Sequence, residues 1–297
     1  MSVAVRLFER RDRDQLTTLA NLHVAAVIPG VVLSVNALLA QLEREPDENI
    51  VDPWVAERCC LVAERNHEVV AGALLHRFRA DADVGPAYRG TGEVRWLVCK
   101  TDAAEAGAIL LREALERMNR WEVTVVGAEC GLPALACYGV PDTLPHIRKL
   151  LTDADFGEPT RTEIVLAARC DALAGHALEG GSIERTLGLL GARLTLRRDD
   201  TELGFIEVSD HSNAMARSSV ATRWADVGNL TFANDDYLDL AMAPLLSAAA
   251  DWLLLGGVTR LVDYWAHDIH RPEYLAQLER LGFRRLVVNE RGFRRSI

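Results

Sequence analysis

The order of apolar and polar positions occurs twice along the chain. Residues 59–78 and 192–209 each hold two apolar, β-rich runs around a polar turn, at Asn66-His67 and at Asp199-Asp200. This pattern predicts one β-hairpin in each half. A further strand then leads into a helix with apolar residues at spacings of three and four, over residues 93–118 and 226–257. The chain therefore reads as an internal repeat.

The rest of each half continues the repeat. A strand at 121–127 or 259–266 precedes a helix that ends at an aromatic residue, Phe156 or Phe283. A last strand, at 161–168 or 284–293, is expected to close each half. The shared order β-β-β-α-β-α-β predicts an α/β fold with a mixed sheet in each half.

The first half also carries an N-terminal strand and two helices for which the second half has no room. The predicted strand covers residues 3–8, and the predicted helices cover 13–26 and 34–45. The Gly180-Gly181 break marks a connector between the halves. We therefore expect a first domain over 1–169, a linker over 170–191 and a shortened second domain over 192–297.

Composition narrows the class of protein. The hydrophobic fraction of 49% is enough for buried cores, and the formal net charge of −10 argues against a nucleic-acid or anionic-membrane partner. No apolar run approaches the roughly 18 residues of a membrane span, and the N-terminus becomes charged too soon for a signal peptide. The six cysteines contain no C-x-x-C and are expected to be reduced, buried thiols in a cytoplasmic protein.

Three segments resemble the GCN5-related N-acetyltransferases (GNATs). They are LERLGFRRLVVNERGF at the end of the chain, the strand-to-helix unit NLTF…LLSAAADWL, and YGVPDTLPHIRKLLTDADF in the first half. The resemblance covers nearly the whole chain as two tandem GNAT-like domains, each a mixed, mostly antiparallel twisted sheet flanked by helices. It implies an N-acyltransferase that uses acetyl-CoA or another acyl-CoA, needs no metal, and acts on a small-molecule or peptide amine.

In that family a turn with the pattern Arg/Gln-x-x-Gly-x-Gly/Ala lets backbone amides approach the pyrophosphate of coenzyme A. Both copies of this turn are degenerate here. The second copy, Tyr237–Met242, has no glycine, and Leu240 and Met242 are expected to crowd it. The first copy, Asp102–Gly107, keeps small residues, although its acids would repel a phosphate. The resemblance therefore favours the first domain for the cofactor, on the strand residues Leu97, Val98 and Cys99 and the turn residues Ala104, Glu105, Ala106, Gly107 and Ala108.

Candidate catalytic residues follow from the same resemblance. Glu93 begins the fourth strand, where the family often places its base, and Asp226 is its counterpart. The family's acid is often a tyrosine on the following helix, but both strict positions hold leucine. Tyr138 is the first candidate substitute, with Tyr264 and Tyr274 as others. Each of these residues also fits a structural interpretation, as a solvated carboxylate or a packing tyrosine.

Other interpretations stay open at this point. Both halves could have lost catalysis and kept a binding or regulatory role, or the second copy could bind acyl-CoA despite its turn. His267 and His270 form H-x-x-H beside Asp263 and Asp268, but the context of a zinc helix is missing. Cys130 and Cys137 lack a nearby histidine that would make them nucleophiles. The sequence does not indicate an oligomeric state.

Overall fold

The computed structural model describes residues 3–43, 52–210 and 223–297. The chain divides into two compact units. Unit 1 comprises Met1–Thr162 and Asn289–Ile297, and unit 2 comprises Glu163–Val288. The division therefore falls close to residue 162, upstream of the linker expected over 170–191, and unit 1 includes the last residues of the chain.

Unit 1 is built on a sheet with the strand order β1-β2-β3-β4-β5-β14. Two helices (α1, α2) precede β2, and two more (α3, α4) follow β4 and β5. Its elements are β1 (Ala4–Leu7), α1 (Arg13–Val27), α2 (Val35–Glu43), β2 (Val55–Arg65), β3 (Glu68–Phe78), β4 (Gly92–Cys99), α3 (Ala104–Arg120), β5 (Val125–Ala128), the two-residue β6 (Val140–Pro141), α4 (Pro145–Asp153) and β14 (Phe293–Ser296).

Unit 2 has the strand order β13-β7-β12-β11-β10-β9-β8. Its main helix, α6, follows β11 in the way that α3 follows β4. Its elements are β7 (Arg161–Arg169), α5 (Cys170–Leu173), β8 (Gly181–Gly188), β9 (Gly191–Arg198), β10 (Thr201–Asp210), β11 (Trp224–Phe232), α6 (Leu238–Leu255), β12 (Arg260–Ala266), α7 (Pro272–Arg280) and β13 (Arg284–Arg291).

The closing strand of the first half does not join the sheet of the first half, contrary to the sequence expectation, whereas the closing strand of the second half, β13, lies in the sheet of unit 2 as expected. Strand β7 comes from the first half of the chain, yet Ile164 pairs with Trp265 and Ala168 pairs with Leu261 in unit 2. A further short strand, β14, which the sequence did not separate from β13, pairs antiparallel with β5 of unit 1, Phe293 opposite Ala128. The apolar pattern of a strand does not say which sheet will accept it, so sequence order alone suggested the wrong partner.

The predicted hairpins are present at the predicted turns. Asn66 and His67 have φ values of 54° and 64°, and Asp199 and Asp200 have 48° and 62°. Two successive residues with positive φ are typical of the type I′ turn that joins tightly paired strands. The stretch 170–191 was expected to be a linker, but it is partly a strand. Residues 181–188 form β8, an edge strand paired with β9.

Helix α6 forms the centre of unit 2. By length and apolar content alone, Asp235–Leu255 could cross a membrane, so the expectation that no stretch would pass this test does not hold. Leu245, Leu246 and Leu253 of that stretch are nevertheless buried in the core of unit 2. A core helix meets the same criterion, so the finding is weak evidence for a membrane segment.

Candidate functional site

The sheet of each unit opens at one place. Strands β4 and β5 are parallel and their pairing ends at Val94 and Ala128, while β11 and β12 are parallel and their pairing ends at Asp226 and Val262. Beyond these points the strands no longer pair with each other. Each unit therefore has a wedge between two parallel strands, followed in the chain by a long helix.

A β-bulge sits at the opening of each wedge. In β4 the register skips Arg95, because Leu74 pairs with Trp96 and Leu75 pairs with Val94. In β11 it skips Gly228, because Glu207 pairs with Asn229 and Val208 pairs with Val227. Bulges are common beside active sites, where they redirect side chains and backbone groups. The two halves of the repeat thus share even the position of this bulge, at Arg95 in β4 and at Gly228 in β11.

The bulges also align the two candidate bases. Glu93 and Asp226 each lie two positions before the bulge residue, so Asp226 is the structural counterpart of Glu93. The neighbours Val94 and Val227 belong to the cores of their units. Successive side chains of a strand point to opposite faces, so both carboxylates lie on the face away from the α3 or α6 core.

Glu93 lies in a closed environment. It is 4% exposed and faces His76 Nδ1 at 3.6 Å and Arg95 Nη1 at 3.5 Å. Burial by itself would raise the pKa of Glu93, but His76 and Arg95 outweigh it and hold this pKa below its usual range. A carboxyl group with a lowered pKa is a weak base at neutral pH, so the surroundings of Glu93 do not favour the role that the resemblance suggested.

Tyr138 is positioned by an arginine. The guanidinium of Arg291 lies 4.9 Å from the centre of its ring, and Arg291 also approaches Glu129 at 3.5 Å. A cation over a ring is a common structural contact. These contacts place Tyr138 beside Arg291 and Glu129 and account for it structurally, while its predicted role as an acid stays a prediction.

Two histidines occupy the end of β4. The Nε2 atom of His23 accepts a hydrogen bond from the Cys99 amide at 3.0 Å, and His146 Nε2 lies 3.0 Å from the Cys99 carbonyl oxygen. Burial lowers the pKa of His23 to about 4, so its ring is neutral and can accept this bond. The backbone groups of Cys99, expected to hold pantetheine, therefore already have partners within unit 1.

The wedge of unit 1 is also filled. Behind β4 there is a cavity of about 20 Å³, lined by residues that include Leu97, Cys130 and Ile147. That volume is close to the room needed by a single water molecule. Leu97, Val98 and Cys99 are all buried. The side chains of these strand residues, which were predicted to contact the cofactor, are thus packed inside unit 1.

The residues predicted to form the phosphate turn of unit 1 begin α3 and are divided between surface and core. Ala104, Glu105 and Ala108 are exposed, whereas Ala106 and Gly107 are buried. A Cβ atom on Gly107 would lie 2.7 Å from Leu150 Cδ1 and 2.9 Å from Cys99 Sγ. Gly107 therefore lets α3 pack closely on β4 and α4, which differs from the predicted contact between Gly107 and a phosphate.

The wedge of unit 2 is more open. Beyond the bulge, Asn229, Leu230 and Phe232 of β11 are half-buried and Thr231 is exposed. Met242 is fully buried in the core, so it does not crowd the turn between β11 and α6 as the sequence suggested. Leu240 is the residue that does project, with 36% of its surface exposed. Asp235, just before α6, and Asp239, in the first turn of α6, pair with Arg271 and Arg280 respectively.

A buried acid and a tyrosine meet at the unit 2 wedge. The Tyr274 hydroxyl donates to Asp263 Oδ2 at 2.7 Å, and the Tyr264 amide donates to Asp263 Oδ1 at 2.7 Å. Burial raises the pKa of Asp263 to about 7, with a smaller contribution from Asp226. The pKa of Tyr274 is also raised, first by burial. A carboxyl group that titrates near neutral pH is typical of functional sites.

Asp263 and Tyr274 were each candidate site residues in the sequence, but no sequence pattern indicated that they contact each other. Asp263 was considered with His267, His270 and Asp268 for a metal, yet no group of metal-ligating side chains occurs among the residues the structure describes. His270 instead stacks on Tyr274, with ring centres 4.6 Å apart. The eleven-residue separation of Asp263 and Tyr274 spans a strand, a turn and a helix start, so no local pattern predicts their contact.

The surroundings of the cysteines do not favour nucleophilic reactivity. All six are free thiols, and five of them are buried. Burial raises the pKa of Cys130 and of Cys137 to about 12. A thiol reacts as its thiolate, so neither is set up as a nucleophile, in line with the sequence interpretation.

The fold is similar to that of solved GNAT structures, one of them a tandem GNAT protein. A tandem GNAT protein from the clavulanic acid biosynthesis pathway, solved without acetyl-CoA, superposes with a TM-score of 0.64 at 14% identity, covering 99% of this chain and 98% of that one. A GCN5-related N-acetyltransferase from Sphaerobacter thermophilus gives 0.62 at 12% identity, covering 99% of this chain and 95% of that one. Both likenesses concern the fold.

A third solved structure is longer. It is a GCN5-related glucosamine N-acetyltransferase region of a fungal multi-domain GH3 β-N-acetylglucosaminidase, with a TM-score of 0.65 at 13% identity, covering 98% of this chain and 38% of that one. No protein-family model matches the sequence, and no curated protein matches it significantly. The two tandem GNAT-like folds expected from the sequence are confirmed by these superpositions.

Proposed function

We propose that this chain, whose fold is that of the tandem GCN5-related N-acetyltransferases, is an acyl-CoA-dependent N-acyltransferase whose working wedge lies in unit 2. The observation that carries the proposal is the placement of acid–base groups at that wedge. Asp226 lies just before the bulge on one face of the sheet, while Asp263 and Tyr274 meet on the α7 side. Acetyl-CoA is the expected donor, and a small-molecule or peptide amine is the expected acceptor.

The two faces suit the two proton transfers of the reaction. Ala225 and Val227 belong to the core of unit 2, so Asp226 between them points to the opposite face. Leu261 and Tyr274 belong to that core, and Asp263 bonds to Tyr274 there. An amine that attacks from the Asp226 face would lose its proton to this carboxylate, directly or through water.

The leaving group would depart on the other face. The amine nitrogen forms a bond to the thioester carbon, the carbon–sulfur bond breaks, and the thiolate of coenzyme A takes a proton from Tyr274. The bulge at Gly228 frees local backbone groups of β11 from regular pairing, and an amide there could donate to the carbonyl oxygen of the thioester. The half-buried strand end from Asn229 to Phe232 would lie beside the pantetheine arm.

A second candidate function rests on a specific observation in unit 1. There the end of β4 is closed by His23 and His146, and Glu93 is buried against His76. If unit 2 fails to bind acyl-CoA as well, the chain would be a catalytically inactive binding or regulatory module. Titration with acetyl-CoA separates the two, because a ligand that binds only the folded state raises the melting temperature.

The test of the proposal uses matched changes in the two turns. Leu240→Glu adds a negative charge at an exposed position in the first turn of α6, and Ala104→Glu adds one at the exposed first residue of α3. We expect Leu240→Glu to weaken acetyl-CoA binding at least about tenfold, or about 1.4 kcal/mol. Ala104→Glu should leave the affinity unchanged, and Leu240→Gly should strengthen binding by removing the side chain.

Calorimetric titration measures the affinity, and release of free thiol with a panel of amines measures the transfer. The opposite ranking, with Ala104→Glu abolishing binding, would assign the cofactor to unit 1. Binding without amine-dependent thiol release would favour the inactive module.

A further inference from the structure

Asp263 has no role in the reaction as written above, yet it is buried directly behind Tyr274. Its Oδ2 lies 2.7 Å from the Tyr274 hydroxyl, and both side chains are nearly inaccessible. An ionised carboxylate in this place would hold the phenol hydrogen and turn it away from any third group. A protonated carboxyl can instead donate to the phenol oxygen, which frees the phenol hydrogen for another acceptor.

We propose that Asp263 is a positioning residue that holds a proton behind Tyr274 and resupplies it during transfer. This inference rests on the proposed function of unit 2. The thiolate takes the phenol hydrogen, and the hydrogen of the Asp263 carboxyl passes to the phenol oxygen in the same step. The products are the free thiol, neutral Tyr274 and ionised Asp263, which takes a proton from water before the next turnover.

The surroundings explain why a resupply is needed. Burial and the Asp263 carboxyl raise the pKa of Tyr274, so a tyrosinate left behind in this place would be costly. Burial also raises the pKa of Asp263 to about 7, so that its protonated form is available near neutral pH. A proton donor is most effective when its pKa lies near the working pH.

Groups from each neighbouring element act on Asp263, by charge across the sheet or by direct contact. Asp226 of β11 adds negative charge and favours the protonated form. Tyr274 of α7 and the amide of Tyr264 donate to the carboxylate and oppose this effect. Strand β7 places the apolar Leu166 opposite Asp263. The ring of His270 lies over Tyr274 with an interplanar angle of 15°.

Unit 1 offers an internal comparison for this pair. Counting from the bulges, Ala128 of β5 corresponds to Asp263, and Ile147 of α4 corresponds to Tyr274. Both residues of unit 1 are apolar and buried. A wedge of this fold can thus be packed without any polar pair at these two positions, so packing alone does not require Asp263 and Tyr274.

The first test needs no enzymatic activity. Tyrosine labelled with ¹³C at Cζ is incorporated into the full chain, and the Tyr274 signal is assigned by its loss in Tyr274→Phe. In the wild-type protein we expect this signal to shift between pH 5 and 9 with a midpoint near 7, as Asp263 ionises. The step should vanish in Asp263→Asn and persist in Asp251→Asn, which changes an exposed acid on α6. A flat Tyr274 signal would overturn the proposal, and if the variants failed to fold, the absence of any wild-type tyrosine signal with a midpoint near 7 would overturn it as well.

The second test uses the reaction. Asp263→Asn and Tyr274→Phe should each lower kcat by about 10²-fold with little change in KM, and the double variant should be no slower than either. The wild-type rate should fall as the pH rises above 7, and Asp263→Asn should lose this dependence. The relay would be overturned if the two losses of kcat multiplied in the double variant. It would also be overturned if Asp263→Asn kept the pH profile of the wild type. Absence of transfer by the wild type would refute the proposed function, while the labelled-tyrosine titration would still decide the pairing.

Discussion

Strands β4 and β11 are built alike and end differently. Each has a bulge at the opening of a wedge and an acid two residues before that bulge. The end of β4 is buried, and its last amide and carbonyl are taken by His23 and His146. The end of β11 is partly exposed, with an acid–tyrosine pair beside it. The comparison teaches that a duplicated fold can keep its backbone geometry in both copies while the chemistry of the two sites diverges.

The small residues at the start of α3 have a different role from the one that the sequence indicated. They suggested an accessible phosphate turn, but Gly107 serves to pack α3 against Cys99 and Leu150. In unit 2 the corresponding Met242 fills the core instead. A glycine in a degenerate motif is therefore ambiguous, because close packing of a helix and close approach of a ligand both require a missing side chain.

The largest expected effect concerns this glycine. Gly107→Asp would force a side chain against Leu150 Cδ1 and Cys99 Sγ, which lie 2.7 and 2.9 Å from the position of an added Cβ. We expect a loss of more than about 3 kcal/mol of folding free energy, because an extra side chain and its charge would be forced into a packed core. Urea unfolding measures this loss. Ala108→Asp at the next, exposed position is the control and should cost less than about 0.5 kcal/mol.

If Gly107→Asp left the free energy of unfolding unchanged, α3 would not pack as described. In that case the turn of unit 1 would be available to a phosphate after all, and the contrast between the two wedges would disappear.

The next effect concerns the closure of β4. His23→Ala removes the acceptor of the buried Cys99 amide. We expect a loss of about 1–3 kcal/mol, the cost of an unsatisfied buried donor. His67→Ala is the control, because its side chain is 99% exposed in the β2–β3 turn. Equal stability of the two variants in thermal unfolding would contradict the closed arrangement of unit 1.

The smallest expected effect is a pH dependence of stability. The folded-state pKa of Asp263, about 7, lies above its ordinary value of 3.8. The folded protein therefore binds more protons than the unfolded chain between these values, so this group's stabilising contribution is lost as the pH rises from about 4 to 7. Asp263→Asn should remove that loss.

The melting temperature of Asp263→Asn, relative to the wild type, should thus rise by at least about 2–4 °C between pH 4.5 and 7.5, or about 1 kcal/mol. Scanning calorimetry across this range measures the difference. A constant difference between the two proteins would mean that Asp263 titrates normally, and that the acid–tyrosine pair of unit 2 holds no proton near neutral pH.

Much of the fold could be predicted because it depends on local patterns. The turns at Asn66-His67 and Asp199-Asp200 and the amphipathic α3 are encoded within short windows of sequence. The placement of β7 in unit 2 and of β14 in unit 1 could not be predicted, since the apolar pattern of a strand does not specify its sheet. The contact of Asp263 with Tyr274 and the closure of Cys99 by His23 depend on residues brought together only by the finished fold.

A structure with bound acetyl-CoA would test the central claim most directly. We predict that the pantetheine lies along β11 beyond Gly228, with the thioester sulfur near the Tyr274 hydroxyl and the diphosphate at the turn before α6. A cofactor bound along β4 of unit 1, with His23 and His146 displaced from Cys99, would contradict it.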